Sequence, residues 1–208
     1  MVADGTVNHR RDEPPGLDAA GALLAARAST KSFSDAPVPV QLLTRLLAVA
    51  VGDRADGGRA YPSAHALHPV DVFVAVGKVD GLQAGAYRFD NPEHALTPGA
   101  RGDHRRALAQ ATLDAGWAAE CPALLLLTAD LDAADRAFDT QGSARGSRYC
   151  WIEVGAIAEN IHICAAALGL GTVFLGGIDD DAMRTAAEPI VEGSRSVLGL
   201  MPLGFAAR

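Results

Sequence analysis

In Arg27-Ala28-Ser29-Thr30-Lys31-Ser32-Phe33, two cations and a hydroxyl fall on alternate residues directly after an apolar, alanine-rich stretch. On an extended strand, alternate side chains share one side, so all three can reach a single anion. A guanidinium grips a phosphate through two parallel hydrogen bonds, an ammonium adds a compact charge, and a serine hydroxyl donates once more. The pattern equally suits a solvated Arg and Lys around a capping Ser. A second stretch, Tyr61-Pro62-Ser63-Ala64-His65-Ala66-Leu67-His68-Pro69, leads into Val70-Asp71-Val72-Phe73-Val74-Ala75-Val76, a β-branched run with strand character. Its prolines favour extended or turn geometry, and the small Ser63 and Ala64 let a flat ligand approach the backbone. Taken alone, it is a loop before a buried strand.

A third stretch carries glycines where a backbone could meet a ligand. In Ala165-Ala166-Ala167-Leu168-Gly169-Leu170-Gly171-Thr172-Val173-Phe174-Leu175-Gly176-Gly177, the pattern predicts a helix ending at Gly169 and a short strand ending at Gly176-Gly177. These glycines could also do no more than cap a helix and close a turn.

Together the three stretches resemble the FMN-dependent nitroreductase superfamily, whose members open with Arg-x-Ser-x-Lys/Arg before Phe and carry a Pro-Ser-small loop ahead of the first long strand. The resemblance implies that Arg27, Ser29 and Lys31 hold the phosphate and the pyrimidine edge of FMN. It implies that Pro62, Ser63 and Ala64 line the flavin ring. Leu175, Gly176 and Gly177 would pass under the flavin, with the Gly176 N–H facing its reactive N5 atom. It further implies an α+β fold, a mixed sheet flanked by helices, in an intertwined homodimer whose two flavin sites each use both chains.

Within that superfamily, Gly85-Ala86-Tyr87-Arg88-Phe89-Asp90 and Arg145-Gly146-Ser147-Arg148-Tyr149, followed by Glu153-Val154-Gly155, resemble the SagB-type dehydrogenases. That branch oxidises azoline rings in peptides to azoles. A hairpin around Gly85 and an amphipathic helix after Arg148 would account for the same residues. The branch usually carries a Lys-Tyr pair about a dozen residues before the glutamate matching Glu153, and here Gln141-Gly142 stands there. Neither is a useful acid or base at neutral pH.

The elements that must position these residues are legible in outline. Periodicity predicts helices near residues 17–27, 41–51, 104–115 and 149–168, and strands near 70–76, 123–128, 173–175 and 196–203. Residues 1–16 are expected to form a flexible tail, and 17–208 a single FMN-binding domain. A chain of 208 residues, 49% hydrophobic, can fill a sizeable core. A net charge of −7 argues against nucleic-acid or anionic-membrane partners. Cys121, Cys150 and Cys164 lack metal-ligand or redox spacing, which fits free buried thiols in a cytoplasmic protein. His65 and His68 could meet a substrate or simply be solvated, and His162 on an apolar helix is expected in the core. No cluster of His, Cys and carboxylates has metal-ligand spacing.

Three functions remain open at this level: dehydrogenation of a peptide-derived or other natural-product substrate, NAD(P)H-dependent reduction of nitro compounds or quinones, and flavin binding without turnover on behalf of a partner.

Overall fold

The computed structural model of the protein describes residues 15–207. Most of the expected tail, residues 1–14, lies outside the described residues. The first helix, α1, is Pro15–Ala26, and it is followed by β1 (Val38–Pro39) and α2 (Val40–Ala50). Then come β2 (Val70–Val76), β3 (Val79–Asp80), β4 (Gly85–Asp90) and β5 (Ala95–Arg101). The remainder of the chain forms α3 (Arg105–Gln110), β6 (Ala123–Ala129), α4 (Leu131–Ala137), α5 (Arg145–Ala167), β7 (Gly171–Thr172), α6 (Asp180–Ala187) and β8 (Ser196–Gly204).

Six of the strands form one sheet in the order β5-β4-β2-β6-β8-β7, with every pairing antiparallel. A separate parallel pair joins β1 to β3. In the central strands both faces are covered. Val70, Val72, Val74 and Val76 of β2 share one face with Leu125 and Leu127 of β6, packed on α2 and α5. Phe73 and Ala75 share the other face with Leu124 and Leu126, packed on α3 and α6. The registers Val72↔Leu127 and Val74↔Leu125 produce this sorting, because side chains alternate across a strand. A strand buried on both faces reads as an unbroken apolar run, which is why Ala123-Leu124-Leu125-Leu126-Leu127 is strand and not helix.

α5 is the longest element. Ile157 and Ile161 lie one turn apart and are fully buried against the sheet. Truncating either to Ala would cost about 2–5 kcal/mol. Near the start of this helix, Gly146 lets α4 lie directly on it, since a Cβ there would overlap the Ala134 carbonyl. Ser147 secures the same contact by donating from N and Oγ to Asp135, at 2.7 Å each.

Several elements differ from the sequence expectation. The helix expected over 104–115 stops at Gln110, because Thr112 forms a turn with Ala109 and Ala115 and bridges to Ile178. The short strand expected at 173–175 is instead β7 at Gly171–Thr172, with Leu175 returning as a single bridge to Leu200. Gly85 does open a hairpin, that of β4 and β5. Among the described residues, no helix is long and apolar enough to cross a membrane.

Candidate functional site

α1 ends at Ala26 and the chain turns extended, so Ser29 pairs in parallel with Thr172 of β7 and the Thr30 N–H donates to the Thr172 carbonyl at 2.9 Å. Thr30 turns inward, toward a small cavity of about 120 Å³ that it shares with His162 and Thr172. Ser29 and Lys31 are exposed and Arg27 half-buried. The ion pairs among the described residues occupy Arg54, Arg59, Lys78, Arg88, Arg105, Arg184 and Arg195. Arg27 and Lys31 are in none of them, which leaves two cations beside one hydroxyl with their charge uncommitted. That arrangement suits an anionic ligand.

Two residues along from Thr172 the chain bends out of the sheet. Leu175 exchanges hydrogen bonds with Leu200 at 2.8 and 3.0 Å, and the Gly177 carbonyl accepts from the Leu113 N–H at 2.9 Å. Between them Gly176 is exposed, and its N–H donates to no backbone carbonyl among the described residues. It opens on a cleft of about 920 Å³ that also meets Trp151, Ile178 and Leu198. A Cβ on Gly176 would come within 3.1 Å of the Phe174 ring, a tight contact that the ring would have to yield to by a few tenths of an ångström.

The loop holding Pro62, Ser63 and Ala64 is built differently. His65, Ala66 and His68 have φ of 53°, 55° and 47°, left-handed values that non-glycine residues adopt at a cost. Hydrogen bonds compensate: Ala66 N–H to Ser63 O at 3.1 Å, Leu67 N–H to Ala64 O at 3.2 Å, and His68 N–H to Ser63 Oγ at 2.8 Å. Upstream, Arg59 donates to Asp53 Oδ1 and to the Tyr61 hydroxyl, both at 2.8 Å, and Tyr61 stands edge-on to His68 at 5.4 Å. Burial pushes the Tyr61 phenol up to about 12 although Arg59 opposes the shift, so it stays neutral. Beneath the loop, Glu153 of α5 is 2% exposed and accepts from the Val70 N–H at 3.3 Å. Burial raises its pKa above the ordinary carboxyl value, with Ser63 and Val70 pulling back.

Both candidate halves lean on α5. The chain around the loop reaches the helix at Glu153, through the Val70 N–H, and at Asn160, whose Nδ2 donates to the Ala60 carbonyl at 3.2 Å. Arg27 lies by His162, two residues from Asn160, and burial and then Arg27 hold the His162 pKa down. Arg27, Ser29 and Lys31 flank the small cavity beside Thr172, whereas Gly176 opens on the separate, larger cleft beside Trp151 and Leu198.

A model of the nitroreductase family matches residues 24–205, nearly the whole described chain. The chain belongs to the nitroreductase family. A protein of Methanocaldococcus jannaschii named as a nitroreductase, MJ1384, is 30% identical over 183 residues, 88% of each chain. Among solved structures, one from Ralstonia eutropha JMP134, also named as a nitroreductase, superposes with a TM-score of 0.74 at 24% identity, over 97% of this chain and 87% of that one. A chain of the Escherichia coli microcin synthetase McbBCD complex with truncated pro-MccB17 superposes at 0.73 with 19% identity, over 100% of this chain and 78% of that one. The protein is thus an oxidoreductase-family member with the nitroreductase-like α+β fold.

In this nitroreductase-family chain, several residues of the site carry no distinctive sequence signal. Asp53 and Arg59 read as loop charges, and only the alternation Arg59-Ala60-Tyr61 hints that two polar groups share a side. Arg88 of the Gly85–Asp90 segment is tied to Asp71 at 3.2 Å, and Arg195 reaches the same carboxylate at 2.6 Å. Gln141 accepts from the Tyr149 hydroxyl at 2.9 Å, and Tyr149 packs on Phe138, which in turn meets His65 at 5.2 Å. The cysteines are free. Burial raises Cys121 to about 12 and Cys150 to about 11, so neither is a nucleophile. No group of three or more metal-ligating side chains occurs among the described residues.

Proposed function

We propose that this chain is an FMN-dependent oxidoreductase, one domain over residues 17–208, acting as a homodimer in the cytoplasm. The observation that supports it best is the pair Arg27 and Lys31, in no ion pair among the described residues and flanking a segment anchored through Ser29 and Thr30 to Thr172. FMN held there would supply the redox chemistry, accepting or delivering a hydride. Arg27 and Ser29 would bind its phosphate, and Lys31 would place positive charge by the pyrimidine edge, where it favours an anionic reduced ring. Gly176 would offer its N–H without a side chain in the way, and Leu175 and Gly177, fixed by their own backbone bonds, would hold it in place.

Pro62, Ser63 and Ala64 would line the ring from the second protomer. Exposed Leu17 and Leu24 on α1, with Trp151 and Ile152 on α5, provide the apolar surface for a partner copy to cover. Sedimentation at micromolar protein checks it, and a monomer that still retains FMN would overturn the shared site.

For the reaction, we favour a SagB-type dehydrogenase acting on a peptide-derived or other natural product. The Gly85–Asp90 and Arg145–Tyr149 segments support this, as does the likeness to a chain of a microcin synthetase. The second reading, an NAD(P)H-dependent nitro or quinone reductase, is supported by MJ1384 and by Gln141. An amide that only accepts from Tyr149 cannot replace a proton-handling pair. A non-catalytic flavin-binding partner is the third.

The purified protein should be yellow and release FMN, not FAD, on denaturation, and failure to take up added FMN would overturn the whole reading. Anaerobic mixing with NADPH then separates the others. Rapid bleaching of the flavin band selects the reductase, whereas bleaching by an azoline peptide and not by NADPH or NADH selects the dehydrogenase. Bleaching by neither leaves the binding protein.

A further inference from the structure

Asp71 is the second residue of β2, Thr128 stands opposite it on β6, and Val197 stands opposite Thr128 on β8. That row brings Arg195, just ahead of β8, over Asp71, while Arg88 reaches the same carboxylate from β4. Arg195 Nη1 pairs with Asp71 Oδ2 at 2.6 Å, and Arg88 Nη2 donates to Oδ1 at 3.2 Å. Two guanidinium groups thus share one carboxylate, which leaves an excess of one positive charge. The Arg88 side chain is 58% exposed and Arg195 only 29%, so solvent screens the first far more than the second.

The contacts of Arg195 are all made by one nitrogen. Nη1 meets Asp71 and, at 3.5 Å, the Pro69 carbonyl, whereas Nε and Nη2 make no hydrogen bond among the described residues. Those two nitrogens form one edge of the guanidinium, and their N–H groups can donate side by side to a single carboxylate. Arg195 also lines the cleft of about 920 Å³ on which Gly176 opens, a size suited to a small organic molecule. Asp180, Arg184 and Glu188 line it too, but all three are exposed on or just past α6, and Arg184 is paired with Asp181 at 2.6 Å. The half-buried cation of the cleft is therefore Arg195. We infer that Arg195 anchors a carboxylate carried by the substrate, with Asp71 holding the guanidinium in place.

A carboxylate matches the free edge in its planar geometry and the excess in its single charge, whereas a phosphate monoester carries close to two charges at neutral pH. In the dehydrogenase reading the group is a peptide carboxylate, and in the reductase reading it belongs to an aromatic acid. Anchoring it at one end of the cleft would fix which part of the molecule meets the ligand at Gly176. That consequence rests on the FMN reading, but the carboxylate site does not.

Calorimetric titration of the full-length protein with benzoate and with benzamide, before and after loading with FMN, compares one ring with and without the charge. Benzoate should bind roughly tenfold more tightly or better, as expected for hydrogen bonds to a charged group. Arg195→Gln should abolish that preference and leave benzamide binding as it was. Arg195→Lys keeps the charge without the planar edge and should retain only part of the preference. Arg184→Gln, at the exposed rim, should retain all of it. Equal affinities, no benzoate binding, or a preference that survives Arg195→Gln would overturn the inference, as would its loss in Arg184→Gln. Benzoate displaced by FMN would overturn the assignment to substrate. Should Arg195→Gln fail to fold, a full preference in Arg195→Lys overturns the role of the edge. If the protein takes up no FMN, the flavin reading fails while titration of the unloaded protein still decides the site.

Discussion

Replacing Gly171 by Ala tests whether the clamp sits on β7. A Cβ at Gly171 would stand 2.5 Å from Thr30 Oγ1 and 2.6 Å from both Thr30 Cβ and Cγ2, whereas ordinary contact begins near 3.4 Å. The shortfall is 3.4 − 2.5 = 0.9 Å. Rotating Thr30 about χ1 moves Oγ1 and Cγ2 but not Cβ, so the backbone between Arg27 and Lys31 has to retreat. That stretches the 2.9 Å bond from Thr30 N to Thr172 O beyond useful length. Overpacking of this kind costs about 1–3 kcal/mol of stability. The same retreat carries Ser29 and its neighbours nearly 1 Å from their anion, and loss of one charge-assisted hydrogen bond should weaken FMN binding about tenfold or more. Fluorescence titration with FMN, paired with thermal melts, measures both effects. Gly116→Ala is the control, because its Cβ meets nothing within 4 Å. If Gly171→Ala melts lower yet binds FMN as tightly as the unaltered chain, the cations of 27–31 do not hold the cofactor, and the site must be sought elsewhere.

Arg27→Ala should weaken FMN binding by about 1.5–3 kcal/mol, the range for a hydrogen bond to a charged group, and an unchanged titration would place the guanidinium in solvent. Acid should destabilise the fold through histidine. Burial, with Arg59 and Arg27 respectively, holds His68 and His162 below the ordinary value of 6.5, so their contribution is present above that value and lost as pH falls through the folded one. Glu153 acts oppositely: its raised pKa gives stability below the ordinary carboxyl value, lost as pH rises through the folded one. Urea midpoints at pH 7 and pH 5 should show a fall that His162→Gln reduces, and an equal fall in that variant would exclude His162. A thiol reagent at pH 8 should leave Cys121 and Cys150 unmodified in the native protein and label all three cysteines in urea. Prompt labelling of three native thiols would contradict their burial.

What the sequence discloses divides along a physical line. Local pattern was enough for β2, β6, α2 and the body of α5, because a strand buried on both faces and a long helix each leave a periodic apolar trace over many residues. It was enough as well for the extended course of residues 28–31, where Ser29 bridges to Thr172. The early end of α3 and the displacement of the strand from Val173–Leu175 to Gly171–Thr172 were not legible. Each is decided by a partner far along the chain: Ile178 for Thr112, and Ser29 with Leu203 for Thr172. α4 and α6 are too short for periodicity to resolve, yet Asp130 and Asp179 both accept from the backbone three residues on, a capping signal that was present in the sequence.

The same division explains why the Tyr61–Pro69 loop was the harder segment to read. Nothing in Tyr61–Pro69 announces three left-handed residues, because His65, Ala66 and His68 carry no intrinsic preference for that region. Their conformation follows from what holds the loop at its ends. Arg59, held by Asp53, fixes Tyr61 at one end, and Glu153, far along the chain, accepts from Val70 just past the other. Glu153 is visible in the sequence only as a charge interrupting an apolar helix, which a solvated face would explain equally well. Burial converts it into an acceptor that must be satisfied, and the donor it meets is the N–H of Val70, the first residue of β2. A polar residue on the inner face of a long helix is therefore better read as an anchor for the strand that follows the Pro-Ser-small loop than as a defect in the core.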